Sequence, residues 1–230
     1  MLVICNGMPR SASTWSFNVV LGLLRALRPL QKVHSGYDES VAHFLESAPP
    51  DATHAVVKCH QLDARGRALT QAGTARTVYT WRDPADAIVS CMGMFDHDFE
   101  TALHAVKSSL QLYDFHRRGG VALILDYERI VTTPVGAVQR IAAFLGLEDH
   151  GDTVRVVAAE NGLQRMREKA ESLPDKAQLI RLCGFPHDPE TLLHPGHIRD
   201  GSSGYGRKAL TAQQLQRIDG LLAHRRALPR

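Results

Sequence analysis

The run Gly7-Met8-Pro9-Arg10-Ser11-Ala12-Ser13-Thr14-Trp15 follows a short apolar stretch and precedes a helix-patterned one. In that setting backbone N–H groups and a helix dipole converge on a phosphate. Set against the triphosphate-binding frame G-x-x-x-x-G-K-S/T, the run keeps Gly7 and Thr14 but has Ala12 and Ser13 where Gly and Lys would stand. The lysine that reaches a β- or γ-phosphate beside magnesium is missing, which disfavours a triphosphate kinase. The cation stands earlier, at Arg10, where it can meet an oxygen of a shorter 5′ substituent; the alternative is a surface arginine followed by a plain helix cap. A second run, Tyr79-Thr80-Trp81-Arg82-Asp83-Pro84, continues to Ser90. Arg82 brings a planar fork of donors and Ser90 a hydroxyl, and the pair can grip one phosphate. The competing reading pairs Arg82 with Asp83 or Asp86 at a helix start.

Elements that would position these groups are legible in the pattern. Short, β-branched, unalternating apolar runs at 2–5, 55–57, 77–81 and 121–125 read as strands buried on both faces. Between them, apolar residues at three- and four-residue spacing predict helices over about 14–27, 85–95, 101–118 and 135–145. Strand-helix alternation implies an α/β fold, one domain over 1–230 with a central parallel sheet flanked by helices, of the P-loop nucleotide-kinase type. Asp83-Pro84 and Thr133-Pro134 are helix starts, and Gly146 closes the helix ending at Leu145. After residue 150 the pattern is helical and loop-like, 172–207 reads as irregular chain, and a last helix runs from about 212 to 224.

The string Pro9-Arg10-Ser11-x-Ser13-Thr14-Trp15 resembles the 5′-phosphosulfate-binding segment of sulfotransferases that use 3′-phosphoadenosine 5′-phosphosulfate (PAPS). Three more segments resemble that family in the same order. Arg82 and Ser90 match its 3′-phosphate-binding segment, and Val57-Lys58-Cys59-His60 matches its Lys-Thr/Ser-His segment. The run from His197 to Thr211 matches its late glycine-rich loop, with Arg199 and Gly201 at the Arg-Lys-Gly start and Asp200 in place of the lysine. Either Asp200 points away from the phosphate or the loop binds more weakly. Leu125 to Ile130 resembles the family's Tyr-Glu-Asp segment, so Tyr127 either contacts the nucleotide or is a core tyrosine.

The resemblance implies PAPS as donor, adenosine 3′,5′-bisphosphate (PAP) as product and no metal. His60 would be the general base that takes the acceptor's proton, a task suited to an imidazole near neutral pH. Arg10 would stabilise charge on the departing phosphate oxygen, so His60 and Arg10 form the expected catalytic pair. The backbone of Ser11, Ala12, Ser13 and Thr14 would cradle the 5′-phosphate, Trp15 line the adenine side, and Arg82, Ser90 and Arg199 hold the 3′-phosphate. Lys58 would add positive charge or be solvated. The expected reaction is transfer of a sulfuryl group to a hydroxyl, or an amine, of a small molecule. Its rivals are a magnesium-dependent small-molecule or nucleotide kinase, and a PAPS- or PAP-binding protein without turnover.

Composition agrees with a globular domain, 44% hydrophobic and 22% charged. The net charge of +3 is spread along the chain, against a nucleic-acid reader and for a small anionic ligand. Four scattered cysteines and a strand that begins directly after Met1 predict a reducing, cytoplasmic setting without disulfides or membrane anchor. His187, His194 and His197 read as surface histidines rather than metal ligands. Expected acceptor walls lie at about 34–50, 93–104 and 172–195. Tyr37, Phe44, Met92, Met94, Phe95, Phe99 and Phe185 are candidates for an apolar pocket or for ordinary core. The family's C-terminal dimer segment Lys-x-x-x-Thr-Val-x-x-x-Glu is met here by Arg207, Thr211, Ala212 and Gln216; Thr211 matches, the others depart and remove the charged end, so that dimer is not expected and oligomeric state is open.

Overall fold

The computed structural model of the chain describes residues 1–147, 151–173, 178–182, 184–198 and 201–226, with 224–226 described by their backbone alone. In chain order come β1 (Leu2–Gly7), α1 (Ser13–Leu27), β2 (Val33–Tyr37), α2 (Val41–Glu46), β3 (His54–Cys59) and α3 (Ala64–Gln71). Next are β4 (Ala75–Trp81), α4 (Pro84–Phe95), α5 (Phe99–Gly119), β5 (Leu123–Asp126), α6 (Tyr127–Thr132) and α7 (Pro134–Phe144). The rest is α8 (Asp152–Glu160), α9 (Leu163–Glu171), the hairpin strands β6 (Ile180–Leu182) and β7 (Phe185–His187), α10 (Gly206–Ala209) and α11 (Ala212–Arg226).

Five strands form a parallel sheet in the order β2-β3-β1-β4-β5. Val3, Ile4 and Cys5 of the central strand are fully buried, as an unbroken apolar run requires of a strand covered on both faces. One face packs against α1, α7 and α8, where Phe17, Leu24, Ile141 and Val157 meet; the other packs Ile4, Val57 and Tyr79 against α2, α3 and α5, and α4 packs on α5 through Ile88, Val106 and Leu110. Predicted helix limits hold to within a residue or two. Asp83 caps α4 by accepting the N–H groups of Ala85 and Asp86, whereas the Thr133 hydroxyl turns back to the carbonyl of Arg129 and leaves α7 to its proline start.

Two elements depart from expectation. The edge strand β2 reads Val-His-Ser-Gly-Tyr, with no residue fully buried, so it lacks the apolar run that marks its neighbours. The segment 172–207 is not irregular throughout, since it contains the β6–β7 hairpin and the start of α10. Three-residue strands carry too little periodicity to be read from sequence. Among the described residues Cys5, Cys59 and Cys91 are buried free thiols, and no helix is long and apolar enough to cross a membrane.

Register decides what meets what. Asn6 lies opposite Cys59 on one side of β1, and Gly7 opposite Thr80 on the other. Because β3, β1 and β4 are adjacent and parallel, His60, the Gly7–Trp15 loop and Arg82 all leave the sheet at one carboxyl edge. The chain departs from β1 toward β3 and β2 on one side and toward β4 and β5 on the other. That is the switch point where open α/β sheets bind ligands.

Candidate functional site

The loop after β1 is tied to β4. Met8 N–H donates to the carbonyl of Thr80 at 3.0 Å, and the buried Ser11 hydroxyl lies 2.6 Å from the Met8 carbonyl and 2.7 Å from Thr80 Oγ1. A Cβ at Gly7 would overlap Thr80 Oγ1, so only glycine permits this approach. Arg10 and Ala12 adopt left-handed backbone, φ 64° and 74°, at a cost of roughly 1–2 kcal/mol each for residues with a Cβ. Such residues turn successive N–H groups into an anion nest. Ala12 stands at the N-cap of α1 without a side-chain acceptor, leaving the first-turn N–H groups at Ser13, Thr14 and Trp15 uncapped beside a cavity. Ser11 has a different place from that expected: its hydroxyl latches the loop to the sheet, and its N–H donates to Met8.

Arg10, Arg82 and Ser90 come together on that cavity. Arg10 Nε donates to Ser90 Oγ at 3.1 Å and its Nη2 to the carbonyl of His197 at 2.7 Å, so the guanidinium lies at the Ser90 end of the site. Burial and the charge of Arg82 press its pKa downward. Arg82, almost fully buried, donates to the carbonyls of Arg10 and Ser202 and stacks over the Tyr127 ring at 4.0 Å. Neither Asp83 nor Asp86 is its partner. Asp83 caps α4, and the buried Asp86 carboxylate accepts N–H bonds from Gly206 at 2.6 Å and Gly204 at 2.7 Å. Tyr205 adds a hydroxyl bond to the Asp86 carbonyl, and a Cβ at Gly206 would overlap the backbone of Ala85.

Asp86 thereby clamps the glycine-rich loop to the start of α4, a role absent from the sequence reading. An acid in a helix's first turn reads as a dipole complement, and nothing local shows a loop returning to it across 120 residues. Gly201 borders the cavity with φ +75°, while Arg199 and Asp200 lie outside the described residues.

This cavity holds about 850 Å³ with its open mouth. Arg10, Thr14, Arg82 and Ser90 provide a polar end, and Trp15, Leu163 and Met166 an apolar one. Among the described residues Arg82 Nε is buried without a partner, which suits an anionic oxygen of a ligand. The uncapped start of α1 suits a second anionic group. A nucleotide with phosphate at two positions fits that donor set.

A second cavity, about 670 Å³, opens on the other side of the loop. His60 Nδ1 lies 2.9 Å from the Gly7 carbonyl, which it can meet only as a donor, so Nε2 carries the lone pair. Lys58 Nζ is 3.4 Å from that Nε2. Burial first, then the Lys58 charge, push the His60 pKa down to about 4, so the ring is neutral near pH 7. Glu39 fixes the strand end by accepting the N–H groups of His60 at 2.9 Å and Gln61 at 2.6 Å, and its other oxygen takes the Tyr37 hydroxyl. No motif singled out Glu39, which arrives from the edge of the sheet.

Of the aromatic candidates, Tyr37, Phe95 and Phe185 line this cavity, whereas Phe44 and Phe99 are core. His187, His194 and His197 line it too, with ring centroids 4.8 Å apart for the first two and 4.1 Å for the last two. The expectation of surface histidines is corrected here, since His194 is 3% exposed. The proline-rich segment that carries them folds inward against the hairpin. Among the described residues no group of three or more His, Cys, Asp or Glu is placed to hold a metal.

A sequence profile of the sulfotransferase family matches residues 29–151, more than half of the chain. A relative, cytosolic sulfotransferase 17 of Arabidopsis thaliana, is 25% identical over 174 residues. That alignment covers 64% of this chain and 48% of the relative, so the chain spans about half the length of the curated relative it matches. Two solved structures share the fold. Retinol dehydratase with androsterone and PAP superposes over 97% of this chain and 80% of its own, with TM-score 0.68 and 16% identity. A mouse sulfotransferase with PAP superposes over 97% and 83%, with TM-score 0.69 and 17% identity.

Proposed function

The chain belongs to the sulfotransferase family, and from that premise we propose that it transfers a sulfuryl group from PAPS to a hydroxyl of a small-molecule acceptor. The observation that carries this reading is the pair of cavities that share Arg10, Ala12 and Thr14 in their common wall. One is lined by arginines and an uncapped helix start, the other by a neutral histidine whose lone pair on Nε2 lies 3.4 Å from Lys58 Nζ.

PAPS supplies an activated sulfuryl group on a phosphate that leaves readily. Arg82, Ser90 and Tyr127 would hold its 3′-phosphate end, and the first turn of α1 its 5′ end. Trp15, Leu163 and Met166 would cover the base. Arg10 lies close enough to Ser90 to belong to the 3′ end in this structure, and its stabilisation of leaving-group charge requires the side chain to turn toward α1. On the acceptor side, His60 Nε2 receives the hydroxyl proton as the oxygen attacks, while the Gly7 carbonyl keeps the tautomer. Lys58 disfavours the protonated ring, so the base is held in its working form. Placement of reacting groups and fixed charge carry the rest of the rate.

Tyr37, Phe95, Leu182 and Phe185 support an acceptor with an apolar body, and the solved relatives bound to androsterone or retinol bear on the same point. A kinase would require a lysine where Ser13 stands. Labelled PAPS offered with a panel of alcohols, phenols and sugars tests the proposal, with transfer of label to at least one expected. Stabilisation by ATP with magnesium but not by PAP would overturn it in favour of the kinase. PAP binding with neither transfer nor sulfate release would leave a binding protein.

A further inference from the structure

Anything that passes from the donor cavity to the acceptor cavity crosses a wall formed by Arg10, Ala12, Thr14 and His197. Three of these come from the phosphate loop and α1. The fourth comes from the far end of the chain, in the segment that follows the hairpin. Ala12 has no side-chain donor, and the Arg10 guanidinium is engaged with Ser90 and with the carbonyl of His197 itself. His197 is held from two directions, by that bond to its backbone and by the His194 ring 4.1 Å from its own. Its Nδ1 is buried and, among the described residues, has no hydrogen-bond partner.

We infer that the His197 imidazole is a further catalytic residue, which donates a hydrogen bond to an oxygen of the sulfuryl group at the crossing between the two cavities. The inference rests on the reading of the donor as PAPS. A buried polar nitrogen left unmet is costly, and the cost is recovered if a ligand atom meets it. The oxygens of a sulfuryl group accept and do not donate, so the partner must present N–H. Burial, His194, Arg10 and Lys58 keep the ring neutral, with one N–H and no added charge. His60 is not placed for this task, because its one N–H, at Nδ1, is committed to Gly7 and its Nε2 carries the lone pair. Donation from His197 also leaves His60 free to act as base.

The test compares two ligands that differ by the sulfuryl group alone. Dissociation constants for PAPS and PAP are measured by calorimetry on the parent, His197→Phe and His197→Asn, with thermal melting as a control for folding. Loss of one such hydrogen bond predicts that His197→Phe binds PAPS about 10-fold more weakly while PAP changes less than about two-fold. His197→Asn retains an N–H close to the ring's Nδ1 and recovers most of the PAPS affinity. Equal weakening of both ligands, or of neither, overturns the inference and leaves His197 a packing residue. If the Phe variant does not fold, the same ratio is read on His197→Leu. A parent that binds neither ligand overturns the donor reading itself, a result distinct from an unchanged PAPS to PAP ratio.

Discussion

The two cavities that meet at the phosphate loop are built in opposite ways. On the donor side, the groups are anchored by backbone: Arg82 on two carbonyls, Asp86 on two loop N–H groups, and an uncapped helix start. On the acceptor side, the base is placed by one strand end, and the remaining wall is made of aromatic and imidazole rings from a short hairpin and the segment after it. Rings packed on rings can be exchanged at modest cost, whereas a phosphate socket cannot. On the proposed function, one side would hold a fixed donor and the other a selectable acceptor.

Substitutions that separate the sides test this contrast, and the largest effect is expected at His60, the proposed base. His60→Ala is expected to lower turnover by about 10²- to 10⁴-fold with PAP affinity unchanged, read by label transfer and calorimetry. A matching loss of PAP affinity would show that the cavities are not separable. Arg82→Ala comes next, with PAP binding weakened by roughly 100-fold, and Arg82→Lys restores little because an ammonium lacks the fork. Asp86→Ala should weaken PAP by about 10-fold and lower the melting temperature by about 5 °C, because two charge-assisted bonds to the glycine loop are lost. If it melted lower but bound PAP normally, the clamp would serve stability alone.

Smaller effects are expected on the acceptor side. Phe185→Ala raises acceptor KM about five-fold by removing apolar wall, with PAP affinity unchanged. The smallest is a displacement in pH. As the proposed base, His60 would work when neutral, and its pKa is pushed down to about 4, so kcat/KM is expected to fall only as pH drops through that value. The Lys58 charge lowers that pKa, hence Lys58→Met moves the acid limb upward toward the ordinary 6.5 of histidine. A limb that stayed in place would show that burial alone sets it.

Legibility in the sequence follows the same division. Glycine, arginine and serine at fixed spacing around strand ends mark a phosphate site because backbone geometry demands them locally. Gly7 is such a residue, and so are Arg82 and the Asp83-Pro84 helix start. Asp86, Glu39 and His197 act on partners 21 to 187 residues away and leave no local mark. Ser11 shows the converse: its type matches a phosphate ligand, and register with Thr80 turns it into a latch. The edge strand β2 and the β6–β7 hairpin escaped notice because neither is long or buried enough to carry a period.

By itself the chain determined a parallel α/β sheet, the helix limits and the segments proposed to bind phosphate, since apolar periodicity and caps are properties of neighbouring residues. Only the tertiary structure decided that Arg10 reaches Ser90, that the glycine loop is clamped by Asp86, and that three histidines of a proline-rich segment turn inward. These contacts depend on which strands lie side by side and on where distant loops return, which no local pattern encodes.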